Sequence, residues 1–161
     1  MIRQRCEGFE PFWNEESAVL ILGSFPSVKS RQEGFYYGNK QNRFWRTVSA
    51  FFGEETPLTV ADKQAFLTRN KIALWDVVTA CEIEGSADSS IRAEAIADIP
   101  SLLKKSNIKA VLCNGATAYR LLEEHFPALA ATAKKLPSTS PANPRFSKET
   151  WFNAFHEVFT R

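Results

Sequence analysis

Two asparagines and a run of aromatic rings hold most of the chemistry that this sequence could perform. Asn114 closes the apolar run "AVLCN", directly before Gly115. A carboxamide offers a donor and an acceptor side by side, which complements a ring N–H next to a carbonyl, the edge of uracil or hypoxanthine. Cytosine and adenine present the reverse pattern, and an amide held in one orientation would reject them by leaving its own groups unpaired. An ordinary Asn-Gly turn is the competing explanation. Asn39 lies in "FYYGNKQNRFW", where Phe35, Tyr36 and Tyr37 stand beside Gly34 and Gly38 with Lys29, Arg31, Lys40 and Arg43 around them. Bases stack on ring faces and cations meet phosphates, so this mixture suits a nucleic acid. At least one of these rings is expected in the core and at least one in a pocket. Asn42 fits the N-cap of the helix that follows, whereas Asn39 has no structural duty beyond a turn beside Gly38.

A second polar segment, "LPSTSPANPRFSK" from Leu136 to Lys148, has three prolines, several hydroxyls and no carboxylate. Such a stiff, small-residue loop can approach a phosphate backbone closely, or it can simply connect two elements. Net charge is only +2 over 161 residues, but it is uneven: +2 in residues 1–50, −5 in 51–100 and +5 in 101–161. Lys29–Arg46 holds five basic residues against Glu33, and Lys134–Lys148 holds four against none. These stretches matter together only if the fold brings them to one face.

Other chemistries find little support. Cys6, Cys81 and Cys113 are odd in number and scattered, which fits reduced thiols and cannot supply a four-thiolate cluster. His125 and His156 stand in no zinc-ligand spacing, so no metal site is expected. No P-loop and no G-x-G-x-x-G occurs. Neither an apolar span of membrane length nor a signal-peptide core is present, and the cytoplasm is the expected location.

The elements that must position these groups follow from the apolar pattern. Ala18–Gly23, Lys71–Val78, Ile108–Asn114 and a weaker Lys134–Pro137 read as strands, three of them continuously apolar as for strands covered on both faces. Phe44, Trp45, Val48, Phe51 and Phe52 share a helical face that stops at Gly53. Thr59 is placed to cap a helix through Phe66 and Leu67; another carries Ala118, Leu121, Leu122 and Phe126 up to Pro127; the last starts near Ser147 and aligns Trp151, Phe152, Phe155 and Phe159. Strands alternating with helices predict one α/β domain over residues 1–161 with a mostly parallel sheet. Ligands of such sheets bind beyond the carboxyl ends of the strands, where Ser24–Gln41, Asp76–Ser90, Asn114 and Ser138–Asn143 would converge.

With these segments in order, the chain resembles the uracil-DNA glycosylase superfamily, and most closely its hypoxanthine branch, the DNA-deoxyinosine glycosylases. The matching pieces are "GSFPS", "FYYGNKQNRFW", "ALWDVV" with "GSADSSI", "NGATA" and "LPSTSPAN", spanning Gly23 to Asn143. The resemblance implies a three-layer α/β/α sandwich with a short, mostly parallel four-stranded central sheet. It also implies base flipping and hydrolysis of the N-glycosidic bond without metal or cofactor. The family pattern puts catalysis on asparagines, here Asn39 and Asn114, one positioning water and the other holding the base. Tyr37 corresponds to the ring that stacks on the flipped base, with Ser24 and Phe25 lining the pocket. Asp76, at the same rim, is the alternative general base. Ser138, Thr139, Ser140, Pro141 and Asn143 are expected against DNA, with Lys29, Arg43, Arg145 and Lys148 as phosphate contacts.

Two positions depart from the better-known uracil branches: Phe25 stands where Asp or Asn positions water, and Ser138 stands where the fourth-strand motif begins with His or Asn. The expected partner is therefore DNA carrying deaminated bases, met in the cytoplasm at the nucleoid by a monomer with no obligate protein partner and no membrane. The alternatives are a lesion-binding module of the same fold with weak or no turnover, and an α/β enzyme acting on free nucleotides.

Overall fold

The structure, a computed structural model, describes residues 4–83 and 92–159. "GSADSSI" falls within 84–91 and lies outside the described residues. Four strands form a parallel sheet in the order β3-β2-β6-β7: β2 is Val19–Gly23, β3 Ile72–Asp76, β6 Ala110–Asn114 and β7 Lys134–Leu136. Val19 pairs with Ile72 on one side and Ala110 on the other, and Leu112 pairs with Lys134. Every residue of β2 is buried, which explains its unbroken "VLILG".

Alternation along β2 sorts the core into two layers. Val19 and Ile21 pack with Phe44, Trp45 and Val48 of α2 (Phe44–Phe51), Phe66 and Leu67 of α3 (Val60–Arg69), and Trp151 and Phe155 of α7 (Lys148–Phe159). Leu20 and Leu22 pack with Ile99 and Leu102 of α4 (Ile99–Lys105), Leu121 and Leu122 of α5 (Ala116–His125), and Ala130 of α6 (Pro127–Ala130). Helices on both faces of one parallel sheet make the three-layer α/β/α arrangement expected. Thr59 caps α3 by accepting from the Asp62 amide at 3.0 Å. Pro127 starts α6 directly after α5, since its missing N–H suits a first helical turn.

Three features differ from the sequence reading. Lys71–Val78 is two strands rather than one, because Val78–Ile83 leaves the parallel sheet as β4 and joins a second, antiparallel sheet β1-β4-β5. Here β1 is Gln4–Glu7 and β5 is Arg92–Ile96. Val77 and Val78 still donate to Gly23 and Ser24 carbonyls at 2.9 and 3.1 Å, so the chain changes sheets without losing its backbone pairing. The expected polar loop after Asp76 is consequently strand through Ile83. The loop after β2 contains a short helix, α1 (Val28–Glu33), capped by Ser27, whose Oγ accepts from the Ser30 amide at 3.1 Å. Finally, the N-cap of α2 is Arg43; Asn42 sits one residue earlier and accepts from the Phe44 amide at 2.9 Å, satisfying an orphan donor from outside the cap. Among the described residues no helix is long and apolar enough to cross a membrane.

Candidate nucleic-acid and active-site cleft

At the carboxyl ends of β2, β3 and β6 lies a cleft of about 650 Å³. Its walls include Ser24, Phe25, Tyr37, Asn39, Asp76, Asn114 and the segment from Ser138 to Ala142. The two strand-end residues whose side chains are polar, Asp76 and Asn114, arrive there because parallel strands end together.

The aromatic loop divides its rings between core and cleft. Phe35 and Tyr36 are buried, and the Tyr36 hydroxyl donates to the Glu10 carbonyl at 2.8 Å. Tyr37 stacks on Phe44 with centroids 4.2 Å apart and planes 24° from parallel. Its backbone has φ of 54°, a left-handed conformation that costs a tyrosine on the order of 1–2 kcal/mol. The surroundings impose it: Trp45 Nε1 donates to the Tyr36 and Tyr37 carbonyls at 3.2 and 3.1 Å, and Gly38 N donates to Ser30 Oγ at 2.8 Å. Gly38 must be glycine, since a Cβ there would lie 2.5 Å from Glu33 Oε2 and 3.0 Å from Ser30 Cα. Glu33 in turn is held by Lys63, 2.9 Å away and almost fully buried. Asn39 follows directly, its Oδ1 accepting from the Gln41 amide at 3.0 Å.

The Tyr37 hydroxyl is buried and has no hydrogen-bond partner among the described residues, although it sits close to Gly23 and Asp76. Burial, then the Asp76 carboxylate, push its pKa far above 10.0, so the phenol keeps its proton. Asp76 is buried beside it, so near Gly23 that a Cβ on that glycine would meet Asp76 Oδ1 at 2.5 Å.

The opposite wall is built from hydrogen bonds. Asn114 Nδ2 donates to Thr139 Oγ1 at 3.0 Å, and Thr139 N donates back to Asn114 Oδ1 at 3.0 Å. Ser140 N donates to Ser138 Oγ at 3.1 Å, and Asn143 Nδ2 to the Ser138 carbonyl at 2.9 Å. Arg43 N donates to the Thr139 carbonyl, and its guanidinium to the Ser140 and Asn143 carbonyls at 3.2 and 3.0 Å. A second cleft of about 600 Å³ lies behind this loop, between Asn114, Lys135 and Arg145.

The expected site residues thus fall into three groups. Tyr37, Asn39, Asp76, Asn114, Ser24 and Phe25 come together at one cleft. Ser138, Ser140 and Pro141 line its edge and Asn143 lies in the second cleft, tied to the Ser138 carbonyl, with Lys29, Arg145 and Lys148 exposed outside the first. Arg43 and Thr139 are turned inward: Thr139 is 1% exposed and Arg43 spends its guanidinium on carbonyls and on the Phe146 ring, 5.1 Å away. Phe25 lines the cleft but packs into the core, with the Arg31 guanidinium 5.5 Å from its ring. Sequence reasoning missed Ser30, Glu33 and Lys63 as supports of the aromatic loop. Only Ser27-x-x-Ser30 carried a local signal, that of a helix cap. Among the described residues no three His, Cys, Asp or Glu side chains gather where they could hold a metal ion.

Known proteins share this architecture. Residues 10–159 match the family model of the uracil DNA glycosylase superfamily. A hypoxanthine DNA glycosylase of Methanosarcina acetivorans is 38% identical over 142 residues, covering 88% of this chain and 90% of the relative. One from Methanosarcina barkeri is 37% identical over 155 residues, covering 92% and 97%. The solution structure of a candidate uracil DNA glycosylase from Methanosarcina acetivorans superposes with a TM-score of 0.82 at 36% identity, over 96% of this chain and 99% of that one. With its sheet order, its cleft at the strand ends and this similarity along nearly its whole length, the chain belongs to the uracil DNA glycosylase superfamily.

Proposed function

We propose that the protein is a monofunctional DNA glycosylase that flips a deaminated base out of DNA and hydrolyses its N-glycosidic bond without metal or cofactor, leaving an abasic site. Hypoxanthine is the first substrate, with uracil and xanthine behind it. The supporting observation is that a ring, two carboxamides and a small-residue loop share one cleft at the strand ends. The name of the two Methanosarcina relatives, hypoxanthine DNA glycosylase, points the same way.

Tyr37, backed by Phe44, offers its other face to the flipped base. Cleavage passes through an oxocarbenium-like transition state: the C1′–N bond breaks and its electron pair leaves with the base, water adds at C1′, and the proton that the water gives up neutralises the departed base. Such a reaction asks for a placed water and for donors to the departing base more than for a strong nucleophile. Asn39 Oδ1 keeps a lone pair beyond the one given to Gln41 N, and that lone pair orients the water. Asn114 meets the edge of the base. Asp76 is the alternative base for the water; Asp76→Asn with an unchanged rate–pH profile removes it. Ser138, Ser140, Pro141 and Asn143 face the DNA backbone, and Lys29, Arg145 and Lys148 meet phosphates. The protein acts as a monomer in the cytoplasm.

One observation favours a second reading, a lesion-binding module: Phe25 lines the cleft at the position that, by the resemblance, carries an acid or amide in the uracil branches, and its side chain has no oxygen or nitrogen with which to place water. Single-turnover assays on duplexes with one deoxyinosine, deoxyuridine or deoxyxanthosine separate the two. The glycosylase reading expects alkali-labile inosine strands and a rate about 10²–10³ lower in Asn39→Ala. Tight lesion binding with no abasic product from any strand supports the module instead.

A further inference from the structure

The orientation of the Asn114 carboxamide is decided by a neighbour that has no choice. A backbone N–H can only donate, so the carboxamide oxygen must be the atom that meets Thr139 N, 3.0 Å away. The nitrogen is then left against Thr139 Oγ1, also at 3.0 Å, and the hydroxyl accepts. A reversed amide would set Nδ2 against the Thr139 N–H, two donors facing each other beside a residue only 1% exposed, and that arrangement is costly. Both bonds use one edge of the carboxamide, leaving the second Nδ2 hydrogen and the second Oδ1 lone pair for other partners.

We infer that Thr139 is a specificity-determining positioning residue: its N–H and hydroxyl lock Asn114 so that the second amide hydrogen is left to be offered to a base in the cleft. What the lock selects rests on the glycosylase reading, whereas the lock itself is a property of the free protein. A base carbonyl at that edge accepts the hydrogen. An exocyclic amine there meets donor with donor, so keto purines are favoured over adenine.

Thr139→Val keeps the shape and the backbone N–H but removes the acceptor, and Thr139→Ser restores a hydroxyl. In ¹⁵N-labelled protein the Asn114 side-chain amide signals shift and exchange several-fold faster with solvent in Thr139→Val, and return toward wild type in Thr139→Ser. Asn114 signals indifferent to Thr139→Val overturn the lock, whether or not the protein cleaves any strand. In single-turnover cleavage of a deoxyinosine duplex, Thr139→Val is about tenfold slower, the worth of one hydrogen bond, and adds nothing to the loss in Asn114→Ala. Free hypoxanthine inhibits wild type more strongly than free adenine, and that preference shrinks in Thr139→Val. Additive losses in the double variant, with weaker binding of DNA by Thr139→Val, make Thr139 a DNA contact and overturn the inference. A wild type inactive on every strand counts against the glycosylase reading alone, and the amide signals still decide the lock.

Discussion

The two walls of the cleft are held by opposite means. The aromatic loop, Gly34 to Arg43, is fixed mainly by ring packing: Phe35 against Phe12 and Trp45, Tyr36 against Phe9 and Tyr37 against Phe44, with a few hydrogen bonds to close it. The facing segment, Ser138 to Asn143, buries little apolar surface and is fixed by a dense set of hydrogen bonds from Asn114, Arg43 and its own serines and asparagine. Burial supplies energy without direction, while hydrogen bonds supply direction with modest net energy. The first wall therefore sets where a base can lie, and the second sets which atoms it meets.

Breaking the first wall has the largest effect. Phe44 is fully buried and backs Tyr37, so Phe44→Ala costs about 3–5 kcal/mol in urea unfolding and lowers activity with it. On the second wall, Arg43→Ala removes a charged donor from two carbonyls and costs about 1.5–3 kcal/mol. It leaves the salt dependence of DNA binding unchanged, whereas Arg145→Ala or Lys148→Ala each lower the slope of log K against log salt by about 0.9. An Arg43 variant that flattens the slope would return that residue to the phosphate contacts. Gly38→Ala puts a Cβ against Ser30 and Glu33 and costs about 1–3 kcal/mol, moving Tyr37 and Asn39 together; loss of stability with normal cleavage would show that the loop tolerates the shift.

The walls also differ in titration. Burial first, then Asp76, raises the Tyr36 and Tyr37 phenols above 10.0, while Ser138–Asn143 contains no titratable side chain. A raised folded-state pKa means that the stability is complete below the unfolded value and is lost as pH rises toward the folded one. Stability therefore falls above about pH 10, and less steeply when Tyr37 is replaced by Phe. Equal slopes in wild type and Tyr37→Phe would place that sensitivity elsewhere.

Much of this was legible in the chain. The four parallel strands, the Thr59 cap and the helix faces of Phe44 and Trp151 were written as apolar runs and local signals, because burial on two faces leaves a continuous stripe. The β1-β4-β5 sheet was not, since "VTACEI" continues the apolar run of β3 and nothing local marks the change of sheet. Asn39 and Asn114 stood out because of their place at turns and strand ends. The inward roles of Thr139 and Arg43 did not, since their partners lie 25 and about 100 residues away in sequence.

The sequence by itself determined the layers, the strand ends at which a ligand must bind, and the residue types available there, because these follow from periodicity and local caps. Only the tertiary structure decided which groups face the cleft and which brace it. Thr139 turns its hydroxyl to Asn114, Arg43 clamps the loop and Tyr37 accepts a strained backbone, and in each case the partner that compels the choice comes from another part of the chain.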